Sequence, residues 1–271
     1  MALEAIAPDG QYFSIDVIYQ ETKPAIDSLS IDTLGTPLGL GLYYFMRVYA
    51  HDNDIYRIVL PDFKNMRLST YFEQFVNDYG ERASAFIIDV RGNSGGNSVL
   101  GLDILTYFSN LEDLTQSRTE RKIVASNDYE ALVEESLSTV NFSKDALLTQ
   151  PVIILTDWNC GSAGDNFVAY AKDAGRYSII GTNTRGSTGQ LTVYNLSDGS
   201  QIQPYSDGSI NFPTTAFIGI SSNRTFWGDG HEIINQGISP DIWAEQTIED
   251  AIAGVDTVLD FALTELERQN E

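Results

Sequence analysis

Three short apolar runs constrain what this chain can fold into: SAFIIDV (84–90), PVIILTD (151–157) and YSIIG (177–181). Each is continuous rather than alternating, the pattern of a strand buried on both faces. The first leads through RGNSGGN (91–97) into a helical stretch at 98–109. The second leads through WNCG into another at 162–174. Strands alternating with helices imply parallel pairing through right-handed crossovers, so the expected fold class is α/β. In such sheets sites form in the loops at the carboxyl ends of the strands. That rule singles out RGNSGGN and WNCGSAGD.

The segments around this core read as follows. Residues 11–20 favour a strand by their aromatic and β-branched content, and residues 39–50 and 54–63 flank the turn-like HDND as a β-hairpin. Leu68, Tyr71, Phe72, Phe75, Val76 and Tyr79 fall on one helix face, ended by Gly80. RKIVA (121–125) reads as a strand, DYEALVEESL (128–137) as a helix, 190–221 as hairpins, and about 247–267 as a last helix.

Composition excludes some partners. With 38 acidic and 16 basic side chains the net charge is −22. Such a chain repels phosphate backbones and anionic membranes, so no nucleic acid is expected as a partner. No apolar run approaches the ~20 residues of a membrane span. One cysteine, Cys160, and two histidines, His51 and His231, leave no material for a disulfide framework or a cysteine- or histidine-built metal site.

Two readings compete for each loop. Ser162, at the start of a helix, is either an N-cap with Asp165 as its partner three residues on, or a nucleophile on a strand-to-helix turn. Gly161, Ala163 and Gly164 around it leave room for a substrate backbone, and N–H groups at a helix start can stabilise an oxyanion. RGNSGGN is either a tight turn or the source of a second donor, because its glycines allow positive φ and close approach. Two such loops on neighbouring strands suit acyl transfer.

The same segments resemble a known family. IIDVRGNSGGN (87–97) resembles the signature of the C-terminal processing, or tail-specific, peptidases. NCGSAGDNF (159–167) is similar to their serine motif and to that of the tricorn protease core. IIGTNTRGSTGQ (179–190), QGISPDI (236–242) and EDAIAGVDTVLDFAL (249–263) resemble the segments that follow, in family order. The resemblance implies a spiral of ββα units, as in ClpP-like and crotonase-like proteins, with an added N-terminal β-hairpin region. Residues 1–38 then form a β-rich segment of unassigned role and 39–271 a catalytic domain. It implies hydrolysis of extended or C-terminal polypeptide segments through Ser162, with oxyanion donors at the amides of Gly95 or Gly96 and of Ala163, and no cofactor.

The match departs from the family at the general base. The lysine expected about 25 residues after the serine is replaced by Ser187, and no lysine occurs from 173 onward. The tricorn-type histidine falls on Val59 and its acid on Ile234, with Glu232 close by. His231 and His51 remain as candidate bases. Lys172 lies ~15 Å along the serine's helix and is discounted, and Cys160 is read as packing. The alternative is a catalytically silent relative that binds peptide or an apolar ligand in the same cleft. Family habit further implies export to a periplasm or the cell surface with a leader removed, against a cytoplasmic alternative. Residues 1–38 are too few for a complete PDZ module, so none is expected, and self-association is left open.

Overall fold

Alternate residues of the buried runs feed two different cores. Phe86 and Ile88 face one side of the sheet with Tyr56, Ile58 and Ile154. Ala85 and Ile87 face the other with Ile55, Ile153 and Ile180. Period-2 side-chain direction makes both faces apolar, which is why these runs show no alternation. The computed structural model describes residues 2–6, 12–16, 36–37, 45–110, 119–123, 132–136, 148–188, 191–202, 216–221, 223–226 and 232–269.

In chain order, β1 (Ala2–Ile6) and β2 (Tyr12–Asp16) pair as an antiparallel hairpin. β3 (Thr36–Pro37), β4 (Arg47–His51) and β5 (Ile55–Val59) form an antiparallel edge, with the turn at 52–54 joining β4 and β5 as expected. Next come α1 (Leu68–Tyr79), β6 (Ala85–Asp89), α2 (Ser98–Leu105), β7 (Thr119–Ile123), β8 (Leu132–Ser136), β9 (Val152–Thr156), α3 (Ala163–Ala174) and β10 (Ser178–Gly181). β11 (Leu191–Asn195), β12 (Gln201–Ile202), β13 (Phe217–Ser221) and β14 (Asn223–Phe226) follow. β15 (Ile242–Trp243), α4 (Ile248–Ala253) and α5 (Thr257–Gln269) complete the set.

The main sheet has seven strands in the order β15-β10-β9-β6-β5-β4-β3. The pairs from β15 to β5 are parallel. This is a mixed α/β fold with a mostly parallel sheet. One face is covered by α1, α2 and α3, whose Phe72, Phe75, Leu100, Leu102 and Phe167 enter the larger core. The other is covered by α5 through Val258, Leu259, Ala262 and Leu266. Each such side chain contributes about 1.5–3 kcal/mol when fully buried. No helix among the described residues is long and apolar enough to cross a membrane.

α1 ends at Gly80 as expected, and two other local expectations need correction. The Gly80 cap is not a left-handed turn. Its φ is −58°, and the chain continues as a 3-10 turn, Gly80–Arg82. The residue is small there because a Cβ would press on Leu148 and Val76. Within 128–137, residues 132–136 form a strand rather than a helix. Glu135 lies opposite Arg121, and Glu134 opposite Lys122, across the β7–β8 ladder. The last helix is two helices. Gly254 adopts φ 75° and caps α4, and Asp256 then accepts the Leu259 N–H at the start of α5. That break brings Asp256 to the sheet end where the loops converge.

Candidate active site

Charges buried at the end of β6 hold the first loop. Asp89 accepts from Arg57 Nε and Nη2 at 3.1 and 2.6 Å, and from Arg91 Nε and Nη2 at 2.9 and 2.7 Å. Arg91 also grips both oxygens of Asp256 at 2.7 Å. Burial alone would push the Asp89 carboxyl up, but the Arg91 and Arg57 guanidiniums outweigh it and hold it at about 2. Two cations and two anions thus neutralise one another and tie β5, β6 and α5 together.

Asn93, fully buried, organises the turn that follows. Its Nδ2 donates to the Leu60 carbonyl at 2.8 Å, its Oδ1 accepts the Gly95 N–H at 2.9 Å, and its carbonyl accepts the Gly161 N–H at 2.9 Å. One residue therefore joins the end of β5, the glycine loop and the serine loop. Phe63 donates to the Gly95 carbonyl, and Asn97 donates to the Phe63 carbonyl. This leaves the intervening Gly96 N–H directed away from that pairing, with no acceptor among the described residues. Gly96 has φ 140°, and a Cβ there would overlap the Phe63 carbonyl. Lys64 extends beside this loop, with Nζ 2.9 Å from the Ser94 hydroxyl and 3.6 Å from Asp62.

Ser162 caps α3 in a conformation rare for a side-chain-bearing residue, φ 57° and ψ −117°. Strain of this kind costs about 1–3 kcal/mol and persists where the surroundings impose it. Here Asp165 imposes it. Its Oδ2 accepts the N–H of Ser162 at 2.8 Å and of Ser187 at 2.9 Å, and its Oδ1 accepts that of Gly186 at 2.9 Å. Ala163, the next residue, has an N–H with no acceptor among the described residues, as expected at the first position of a helix. Gly95 stands against both: a Cβ on it would lie 2.6 Å from the Ser162 Cβ and 3.0 Å from the Ala163 nitrogen. The glycine loop and the serine turn are thus in contact, with the Gly96 and Ala163 amides left over.

The residues singled out from the sequence divide clearly. Ser162, Gly95, Gly96 and Ala163 come together. The Gly95 amide is engaged by Asn93, so of the two glycines Gly96 keeps its donor. His51 is placed elsewhere and needs correction. It pairs with Ile55, at the amino end of the parallel strands, whereas Ser162 lies beyond their carboxyl end. The five residues of β5 alone separate the two levels by about 13 Å. His231 lies outside the described residues. Lys172 is held by the Ser239 carbonyl and Asp241. Cys160 is buried in the core, and burial pushes its thiol up, in keeping with packing.

Ser187 and Arg185 are both beside the serine turn. A Cβ on Gly161 would lie 2.6 Å from the Ser187 hydroxyl and 3.3 Å from the Arg185 stem. The roles of Asn93 and Asp165 as connectors, and the position of Lys64, are not evident from spacing. The one available signal was Asp165 at the third residue of the helix, where a capping partner belongs.

Comparison with known proteins bears on this arrangement. The model of peptidase family S41 matches residues 54–244. The tricorn protease of Thermoplasma acidophilum is 25% identical over 81% of this chain and 18% of its own length. The carboxy-terminal processing protease CtpB of Bacillus subtilis is 27% identical over 66% of this chain and 33% of its own. This chain therefore spans a third or less of these relatives. Mature CPAF superposes with a TM-score of 0.62 at 14% identity, covering 99% of this chain and 67% of that one. At that identity the likeness concerns the fold.

Proposed function

Since the chain belongs to peptidase family S41, we propose that it hydrolyses peptide bonds of extended or C-terminal polypeptide segments through a Ser162 acyl-enzyme. The observation that carries this reading is the strained Ser162 turn set against two N–H groups, of Gly96 and Ala163, that have no acceptor among the described residues. In the proposed reaction the Ser162 hydroxyl adds to the scissile carbonyl and a base takes its proton. The carbonyl oxygen becomes an oxyanion held by the two amides. The tetrahedral species collapses, the C–N bond breaks, and the proton passes to the leaving amine. Water then hydrolyses the ester by the same route in reverse.

The base we propose is His231. The segment that follows it is bound to the site loop: Asn235 N–H donates to the Gly186 carbonyl, and Ile238 N–H to Thr184 Oγ1, both at 2.8 Å. Gly186 in turn donates to Asp165. Ile233, two residues after His231, is buried in the main core. The closeness of His231 in sequence to this stitched segment supports the choice. Family habit also favours work in a periplasm or at the cell surface.

Labelling with a fluorophosphonate tests the nucleophile. Wild-type protein is expected to be labelled stoichiometrically and Ser162→Ala not at all. An unlabelled wild type, correctly folded by circular dichroism, refutes the acyl-enzyme.

A further inference from the structure

A cavity of about 550 Å³ opens beside the serine loop at the carboxyl ends of β9, β10 and β15. Its lining includes Trp158, Trp243, Asp157, Glu245, Asn183 and Gln246. The two tryptophans are 66% and 59% exposed. A large aromatic left this open needs a reason, because its burial elsewhere would be strongly favourable. Trp158 follows β9 and Trp243 ends β15, with β10 between them. Strands two places apart have backbones about 10 Å from one another, a spacing that leaves a slot between the two positions.

The charges around this slot select its occupant. Arg91 lines it too, but its guanidinium is already matched by Asp89 and Asp256. Asp157 accepts from the N–H groups of Gly92, Asn159 and Cys160 and from the Asn159 amide, and forms no ion pair among the described residues. Glu245 is exposed and forms no ion pair among the described residues. The local balance is negative, within a chain of net charge −22. The amide side chains of the slot are already partly engaged. Gln246 donates to the Val255 carbonyl and accepts from Thr257, and Asn183 donates to the Gln236 carbonyl. Aromatic faces beside unpaired carboxylates are the chemistry of a cation.

We propose that this cavity is the subsite for a lysine or arginine side chain of the polypeptide substrate. Trp158 lies four positions before Ser162, a span of at most about 14 Å. The basic residue therefore lies within about four positions of the bond that Ser162 attacks. This assignment rests on the peptidase reading for the identity of the substrate, but the cation site itself does not depend on turnover.

The test is a binding titration followed by tryptophan fluorescence, since two of the chain's three tryptophans line the slot. The probes are acetylated, amidated hexa-alanine peptides carrying one lysine, moved through each position, with norleucine and glutamate counterparts. Ser162→Ala protein is used so that no probe is cleaved. The best lysine peptide is expected to bind about five-fold tighter than its norleucine counterpart, with the advantage shrinking in high salt. Trp243→Leu and Glu245→Gln, introduced singly, are expected to erase that advantage. In the Ser162-bearing chain both keep the wild-type circular dichroism. Equal binding of lysine and norleucine peptides, no binding of any peptide, or a lysine advantage that survives both substitutions overturns the assignment. Lysine selectivity without labelling of the wild type would leave the cation site standing and remove the peptidase reading.

Discussion

The Asp165 carboxylate accepts the backbone N–H of Ser162 at 2.8 Å across the first turn of α3, and the same oxygen accepts the N–H of Ser187. The side chain thus fixes the Ser162 backbone and the loop that passes beside it with one buried group. Asp165→Asn turns one acceptor into a donor facing other donors. A buried group left unsatisfied costs about 1–3 kcal/mol, so the variant is expected to lose about 2 kcal/mol in thermal unfolding. Its fluorophosphonate labelling is expected to slow at least ten-fold, because Ser162 relaxes from φ 57°. An unchanged labelling rate would show that the strained turn does not depend on this contact.

Gly96 and Gly92 make a matched pair for testing the oxyanion donor. Both have positive φ, but a Cβ on Gly92 meets nothing within 4 Å, whereas one on Gly96 overlaps the Phe63 carbonyl. Gly92→Ala should therefore cost about 1 kcal/mol of backbone strain and little activity. Gly96→Ala should move the amide and reduce kcat about 100-fold, the typical loss of one oxyanion donor. Steady-state kinetics on an extended peptide, beside thermal midpoints for both variants, check the contrast. Equal activity in the two would remove Gly96 from the reaction.

Acid should loosen the sheet end before it unfolds the cores. The Asp89 carboxyl sits at about 2 in the fold, against an ordinary aspartate value of 3.8. A folded pKa below the unfolded one stabilises above the unfolded value, and the stabilisation is lost as pH falls through the folded value. The window is therefore from about pH 4 down to about pH 2, and the difference amounts to about 2 kcal/mol. Asp256, also lowered against the pull of its own burial, falls in the same direction. Asp89→Asn should flatten the stability curve over this window, as followed by denaturant titration at stepped pH. A curve as steep as wild type would place the acid sensitivity elsewhere.

How much of this was legible in the sequence depended on whether one segment alone decided the outcome. β6, β9 and β10 were readable because Ala85 through Ile88 are apolar whichever face they meet. α1 was readable to the residue because Leu68, Phe72, Phe75 and Val76 repeat on one face. Residues 132–136 carry a helix-compatible pattern, and only the partner strand, with Arg121 and Lys122, makes them a ladder. The break at Gly254 is a left-handed cap on α4, and Arg91 holds Asp256 just beyond it from 165 residues away. Within the site the glycines and Ser162 were visible by type and spacing. The bonds of Asn93 and Asp165 were not, because they join loops separated by tens of residues. His51 was misjudged for the same reason: proximity to the motif in sequence says nothing about which end of the sheet a hairpin turn occupies.

The two histidines offer the final contrast. His51 is partly buried, with its Nε2 unpartnered. Burial, then Arg57, lowers its pKa, against a smaller upward pull from Asp52. Its neutral form is therefore the one the fold favours. Any stability from it is present above the usual 6.5 and declines as pH falls below that. His51→Gln should consequently ease acid destabilisation near neutrality and leave the pH–activity profile unaltered. His231→Gln should do the reverse. A general base contributes about 10²–10⁴-fold, so kcat/KM should fall by that range. The wild-type rise in activity through a pKa near ~6.5, where the imidazole becomes neutral, should disappear. Parallel pH–rate profiles of the wild type and both variants decide the matter. A His231→Gln enzyme with wild-type kcat/KM and an intact rise sinks the histidine-base assignment, and turns attention to Lys64, the cation already lying along the glycine loop.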